Sequence, residues 1–240
     1  MRPDFNSSPL VFVSGGTGYL GAALIPALVD GGFRVRVLVR PQSRKRAMDR
    51  LPATVEFAEG DALDAHGIAY AAAGAGTFVQ MVGVPHPSPS KARAFLDIDL
   101  AAAEAGLDAA VAAGVPHFVY VSVSQFPDGR IPAMRAYVRS RAAAEEKISQ
   151  RVAMGGLAAT FVRPWYVLGP GHRWPLLLTP LMKLVALMPE QRGRIEKMGL
   201  VTRAAFTDAM LHAIAHPPPD VHVIDVVGIR KISRFARMRA

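Results

Sequence analysis

Short apolar runs alternate with longer stretches of helical periodicity along most of the chain. Residues 10–13, 34–39, 55–58, 77–82, 117–122, 159–163 and 221–226 are each a brief apolar or alternating run, the pattern of a strand. Between them, residues 22–29, 44–50, 65–73, 91–113, 134–154 and 207–215 repeat their apolar positions every three to four residues, the pattern of a helix. Strands that alternate with helices predict a parallel sheet covered on both faces, an α/β fold of the doubly wound kind. No internal repeat or low-complexity linker interrupts the pattern, so residues 1–240 read as one domain.

The first strand runs directly into SGGTGYLG, with glycines at Gly15, Gly18 and Gly21. Gly15 allows a tight turn, Gly18 allows the backbone to approach a pyrophosphate, and Gly21 allows the next helix to pack closely on the sheet. The amino terminus of that helix then faces the anion. Thr17, Tyr19 and Leu20 belong to the same turn and are candidates for contact with the nucleotide. The strand before and the helix after give the triplet its specificity, and together they predict a Rossmann-type dinucleotide site. The turn lacks the Lys-Ser/Thr ending of a P-loop, which argues against an ATPase.

The second strand ends at Arg40, nineteen residues after Gly21, where an NAD-preferring fold carries an acidic residue for the ribose hydroxyls. A guanidinium there suits a 2′-phosphate, and Arg44 or Lys45 adds charge just downstream. NADP is therefore expected, with NAD the lesser choice.

Composition narrows the class further. The 240 residues are 51% hydrophobic, enough for one sizeable core. Cysteine is absent, so neither disulfides nor thiolate metal sites are possible. The start, MRPDFNSSPL, has no apolar signal-peptide core, and a cytoplasmic location is the expectation. The net charge of +9 is scattered along the chain, apart from Arg40 to Arg50 and a basic run of Arg230, Lys231, Arg234, Arg237 and Arg239. No nucleic-acid partner is expected from that spread, and the basic end reads as a solvated tail.

Several motifs together resemble the extended and atypical short-chain dehydrogenase/reductase superfamily, including its NAD-dependent epimerases and NmrA-like proteins. They are SGGTGYLG at 14–21, GDALD at 60–64, FVYVSVS at 118–124, YVRSR at 137–141 and FVRPWYVLGPG at 161–171. The resemblance implies that Asp61 accepts a hydrogen bond from the adenine amino group, with Ala62 alongside. It places Met81, Val82 and Gly83 along the cofactor and takes Pro164 to Val167 past the nicotinamide carboxamide. It also implies that Tyr137 exchanges a proton with the substrate oxygen and that a serine polarises the same oxygen.

The superfamily pairs that tyrosine with a lysine four residues later, and Arg141 stands there instead. In the superfamily that lysine activates the tyrosine and holds the nicotinamide ribose. Arg141 keeps the charge and can still hydrogen-bond ribose hydroxyls, so it is a candidate for both roles, but without the compact ammonium. The polarising position of relatives falls on Val123, flanked by Ser122 and Ser124. Ser124, thirteen residues before Tyr137, is preferred and Ser122 is the alternative.

Residues 165–205 should form the substrate side, a hydrophobic segment or lid beyond the carboxyl ends of the strands. Within it, residues 174–189 (WPLLLTPLMKLVALMP) are too short and too interrupted for a membrane span. They suit a lipophilic small-molecule substrate, a protein partner or peripheral contact with a bilayer. His172 and Arg173 are candidates to meet a substrate. His212 and His216 are four apart, but no third ligand is evident and no metal is expected. Ser122 and Ser124 lack a glycine-flanked nucleophile elbow, which disfavours a serine hydrolase.

The expected activity is NAD(P)-dependent oxidoreduction of a small carbonyl or hydroxyl compound, or epimerisation through a transient ketone. The alternative is a catalytically weak NAD(P)-binding sensor or assembly protein. A monomer and a homodimer are both compatible with the Ala-rich helices.

Overall fold

The computed structural model describes residues 9–84, 92–124, 132–170 and 199–239. Seven parallel strands form the main sheet: β1 (Leu10–Ser14), β2 (Arg34–Val39), β3 (Glu56–Glu59), β4 (Thr77–Gln80), β5 (His117–Val121), β6 (Ala158–Val162) and β9 (Val221–Ile224). Their order is β3-β2-β1-β4-β5-β6-β9. A second, two-stranded sheet pairs β7 (Tyr166–Leu168) with β8 (Leu200–Thr202). This is the Rossmann-like α/β fold expected from the alternation of apolar runs.

The helices are α1 (Gly21–Asp30), α2 (Arg44–Met48), α3 (Ala65–Ala72), α4 (Ala92–Ala94), α5 (Ala101–Ala112), α6 (Pro132–Ala153), α7 (Arg203–Ala215) and α8 (Val226–Arg239). One face of the sheet packs on Leu24, Ile25 and Leu28 of α1 and on Phe206 and Met210 of α7. The other packs on Ile68 of α3, Leu107 of α5 and Ile148 of α6. Because both faces are covered, the central strands carry apolar residues on both, which is why they read as continuous runs. Phe12, Phe78 and Phe118 lie in register across β1, β4 and β5, with ring centroids 4.9 and 5.2 Å apart.

Two features differ from the sequence pattern. Beyond β9 the basic end is helical: α8 leaves Lys231, Arg234 and Arg237 exposed, but it buries Val226, Ile229 and Ser233 and bonds Ser233 Oγ to Asp208 Oδ2 of α7 at 2.7 Å. Its arginines conceal the helix in composition, while its buried positions keep helical spacing. Between α4 and α5, residues Phe95–Leu100 form a π-helical stretch, buried at Phe95 and Asp99. A π turn takes up an extra residue and so changes which side chains face inward.

Strand order reverses between β1 and β4, the neighbours at the centre of the sheet. In open α/β sheets this switch point opens a crevice beyond the carboxyl ends of the strands. The glycine turn after β1 and the Met81–Val84 segment after β4 lie at that edge.

Candidate functional site

The glycine turn is built so that side chains cannot enter it. Gly15 has φ +83°, and a Cβ there would lie 2.7 Å from the backbone of Met81 and Val82. A Cβ on Gly21 would overlap the backbone of Gly16, so close packing of α1 on the turn requires glycine. Gly18 donates its amide to the Gly15 carbonyl at 3.2 Å and is itself open on its outer side. The result is a shallow backbone cradle at the start of α1, where a helix amino terminus favours an anion.

Tyr19 leans from this turn toward the small sheet. Its hydroxyl packs against Gly169, and the Arg203 guanidinium lies over its ring at 5.7 Å from the centroid. Burial raises the Tyr19 phenol above its ordinary value, against the pull of the Arg203 charge. Thr17 is exposed and Leu20 half-buried on the same turn.

The residues expected to meet the adenosine half sit at the ends of β2 and β3. Arg40 is exposed directly after β2. Arg44 instead pairs with Glu59 at 2.8 Å, both side chains standing largely in solvent. Asp61 accepts the Leu63 amide at 3.0 Å, which turns the chain after β3, and Ala62 lies at that turn. Asp64 caps α3 by accepting the Gly67 amide at 3.1 Å, so the second aspartate of GDALD has a local structural role.

The candidate catalytic residues gather where β5, α6 and the π-helical stretch meet. Tyr137 and Arg141 lie one turn apart on α6, and the Arg141 guanidinium sits 5.3 Å from the Tyr137 ring centroid. The Tyr137 ring also meets Phe95 edge-on, with centroids 5.2 Å apart. Arg141 itself is almost wholly buried, with its side chain 5% exposed. Its Nη1 donates to Val121 O at 3.0 Å and Tyr120 Oη at 3.2 Å, and its Nη2 to Asp99 Oδ2 at 2.9 Å and Val82 O at 3.4 Å.

Burial pushes the Asp99 carboxyl above its ordinary value, although the Arg141 charge and the Val84 amide pull it back. The Tyr120 phenol is pushed up to about 12, chiefly by burial.

The backbone of Ser122 donates to Val162 O and that of Ser124 to Pro164 O, both at 2.9 Å, which continues the strand pattern past β5. Alternation then keeps Ser122 and Ser124 on the face of Tyr120 and α6, and Val123 on the face of Val121. Both serines are buried. Ser122 Oγ has no hydrogen-bond partner among the described residues. Pro164 follows on the segment that leads into β7, and Val167 lies within β7 itself. Residues 171–198, with His172, Arg173 and the 174–189 run, lie outside the described residues.

Asp99 and Glu59 were not singled out by motif. Asp99 has a legible signal nonetheless: with Phe95, Ala102 and Ala103 it falls on the buried stripe of its helix, where a carboxylate needs a partner. Arg141 shares that signal, lying in phase with the buried Ala144 and Ile148. Glu59 carries none, since an exposed strand-end acid is ordinary.

Among solved structures, a UDP-N-acetylglucosamine 4-epimerase from Bacillus cereus superposes with a TM-score of 0.67 at 16% identity, over 91% of this chain and 78% of that one. A dTDP-glucose 4,6-dehydratase from Streptomyces venezuelae, solved with NAD, gives 0.66 at 19% identity over 94% and 79%. These likenesses concern the fold. A ceramide reductase from Caulobacter vibrioides is 30% identical over 82% of this chain and 59% of its own length. A sterol demethylase protein B from Methylococcus capsulatus is 29% identical over 69% of this chain and 54% of its own. The chain thus spans somewhat over half the length of these two relatives. The family model for NmrA-like proteins matches residues 7–169, from before β1 to beyond β7, and the chain belongs to the NmrA-like family.

Proposed function

We propose that this protein binds a nicotinamide dinucleotide, NADP(H) in preference to NAD(H), and uses it to reduce or oxidise a carbonyl or hydroxyl group on a small apolar substrate. The observation that carries the reading is the glycine cradle, in which Gly15 is required by its positive φ and its contact with Met81 and Val82, and Gly21 by its close packing on Gly16. When bound there, the dinucleotide supplies or accepts the hydride. The exposed Arg40 at the end of β2 is the group available for a 2′-phosphate, while Arg44 is already paired with Glu59.

On the substrate side, the Tyr137 hydroxyl would give a proton to the substrate oxygen as it becomes a hydroxyl. Ser124 or Ser122 would hold that oxygen by a hydrogen bond. Similarity to a ceramide reductase and a sterol demethylase protein supports an apolar substrate, as does the composition of residues 174–189.

One observation favours a second reading, a dinucleotide-binding sensor or assembly protein with little turnover. Both terminal nitrogens of the Arg141 guanidinium are bonded to protein groups, so the role of the superfamily's lysine beside the nicotinamide ribose has no evident bearer. Titration with NADPH and NADH, followed by a screen of ketones and aldehydes from short to long chain, separates the readings. The oxidoreductase reading expects tighter NADPH binding and NADPH oxidation that falls by about a hundredfold or more in Tyr137→Phe. Tight binding with no oxidation by either protein establishes the sensor reading. Binding of neither dinucleotide overturns both.

A further inference from the structure

Resting on the dinucleotide reading above, we propose that the buried Asp99–Arg141 pair is a latch that holds the Met81–Val84 segment in the shape that receives the cofactor. Asp99 and Arg141 are then positioning residues, and Arg141 serves this chain as a structural fork rather than as a replacement lysine.

The latch grips the segment at two points. Arg141 Nη2 donates to Val82 O, and Asp99 Oδ1 accepts the Val84 amide at 2.7 Å. Asp99 and Arg141 close the loop between these points through their 2.9 Å ion pair. Gly83 lies between them, where a Cβ would overlap the guanidinium, so any larger residue there must push Arg141 from its present position.

The other end of the segment is tied to the nucleotide turn. Met81 donates to Ser14 O at 2.9 Å, and the Met81–Val82 backbone is what a Cβ on Gly15 would strike. A displacement of Val82 is therefore felt at the glycine cradle.

Both latch residues come from elements that place them inward. The π-helical turn leaves Asp97 exposed and Asp99 buried, and α6 carries Arg141 on its core stripe. Arginine is the side chain this geometry needs. Its planar fork reaches Asp99, Val82, Val121 and Tyr120 together, whereas the single ammonium of lysine cannot span acceptors on three different elements. Its charge is permanent, so the latch holds at any working pH at which Asp99 is ionised.

The superfamily pattern and the latch make opposite forecasts for Arg141→Lys. The pattern expects restored lysine to improve the site, and the latch expects it to loosen the segment. Wild type, Arg141→Lys, Asp99→Asn, Gly83→Ala and the Asp99→Asn/Arg141→Lys double variant are titrated with NADPH and NADH. Amide exchange at residues 82–84 is followed in the same proteins without cofactor.

Each single variant is expected to weaken the preferred dinucleotide by about tenfold and to speed exchange at residues 82–84. Exchange in the middle of β5 stays as in wild type, which separates the latch from a global loss of stability. The double variant is expected to lose little more than the worse single variant, because the two residues act as one unit. Wild-type affinity and wild-type exchange in Arg141→Lys and Gly83→Ala would overturn the latch. A wild-type protein that binds neither dinucleotide overturns the cofactor reading instead, and that outcome is visible before any variant is compared.

Discussion

The inner strand β5 has a buried polar cluster at each end, and the two solve the problem of burial differently. At its amino end the His117 ring lies between two threonines, Nδ1 3.3 Å from Thr77 Oγ1 on β4 and Nε2 3.0 Å from Thr160 Oγ1 on β6. Burial pushes the imidazole down to about 4, so it is neutral at physiological pH. At its carboxyl end the strand meets a full ion pair, Asp99 with Arg141, and the buried Arg141 Nε and Ser122 Oγ there have no partner among the described residues.

The neutral cluster is closed on itself: each ring nitrogen faces a hydroxyl that can turn to donate or accept. It joins three strands and offers nothing outward. The charged cluster leaves polar groups open and stands at the edge where a parallel sheet binds its ligands. Desolvating an ion pair is expensive, and neutral groups would have sufficed for packing. The difference teaches that polarity at the first end serves the fold, whereas charge at the second stands at the edge of the proposed site, as the latch requires.

The largest test of that contrast removes one partner from the charged end. Asp99→Ala leaves the Arg141 cation buried beside carbonyls and a phenol, and loss of one partner of a buried pair costs about 3–5 kcal/mol. Urea unfolding of the variant against wild type measures the cost directly. A loss under about 1 kcal/mol would mean that water already reaches Arg141, and the contrast between the ends would dissolve.

Acid tests the neutral end. Between pH 6.5 and about 4 the unfolded chain takes up a proton on His117 that the folded chain refuses. Stability contributed by the neutral ring is thus complete above pH 6.5 and drains away as the pH falls to about 4, amounting to about 3 kcal/mol at the foot of that window. Urea midpoints at pH 7.5 and pH 4.5 should separate more for wild type than for His117→Gln, which cannot take the proton. Equal separations would show that His117 is protonated without cost.

The same contrast explains how much of this molecule was legible in its sequence. The parallel sheet and the glycine turn follow from patterns a few residues long, because a parallel strand buried on both faces must be apolar throughout and a backbone cradle must be glycine, whereas the order of the strands is set by pairings between distant segments. The ends of β5 were harder. His117 is one histidine in an apolar strand, and its threonine partners stand 40 and 43 residues away on other strands. Arg141 was noticed as a departure from a motif, but its partner Asp99 lies 42 residues earlier on a separate element, and although each shows a buried helical stripe, nothing local joins the two. Helix α8 was hidden for a different reason, since its cationic outer face outweighs in composition the few apolar residues it buries.

The smallest expected effect sharpens the contrast by removing burial and keeping charge. On the sheet margin, Glu56 of β3 stands opposite Arg36 of β2 and accepts from it at 2.7 Å, and from Arg34 also at 2.7 Å. Burial opposes the Glu56 charge, but the two arginines hold its carboxyl below the ordinary value. In bonding terms this cluster is as complete as Asp99–Arg141, yet the Glu56 side chain is 38% exposed where Asp99 is 0%. Solvent can therefore replace whatever a substitution removes, and Arg36 keeps its bond to Ala71 O at 2.8 Å. Glu56→Gln should cost no more than about 1 kcal/mol, and less at high salt. If unfolding at 0.05 and 0.5 M salt shows it as costly as Asp99→Ala, charge rather than burial governs both sites, and the carboxyl end of β5 loses its claim to be special.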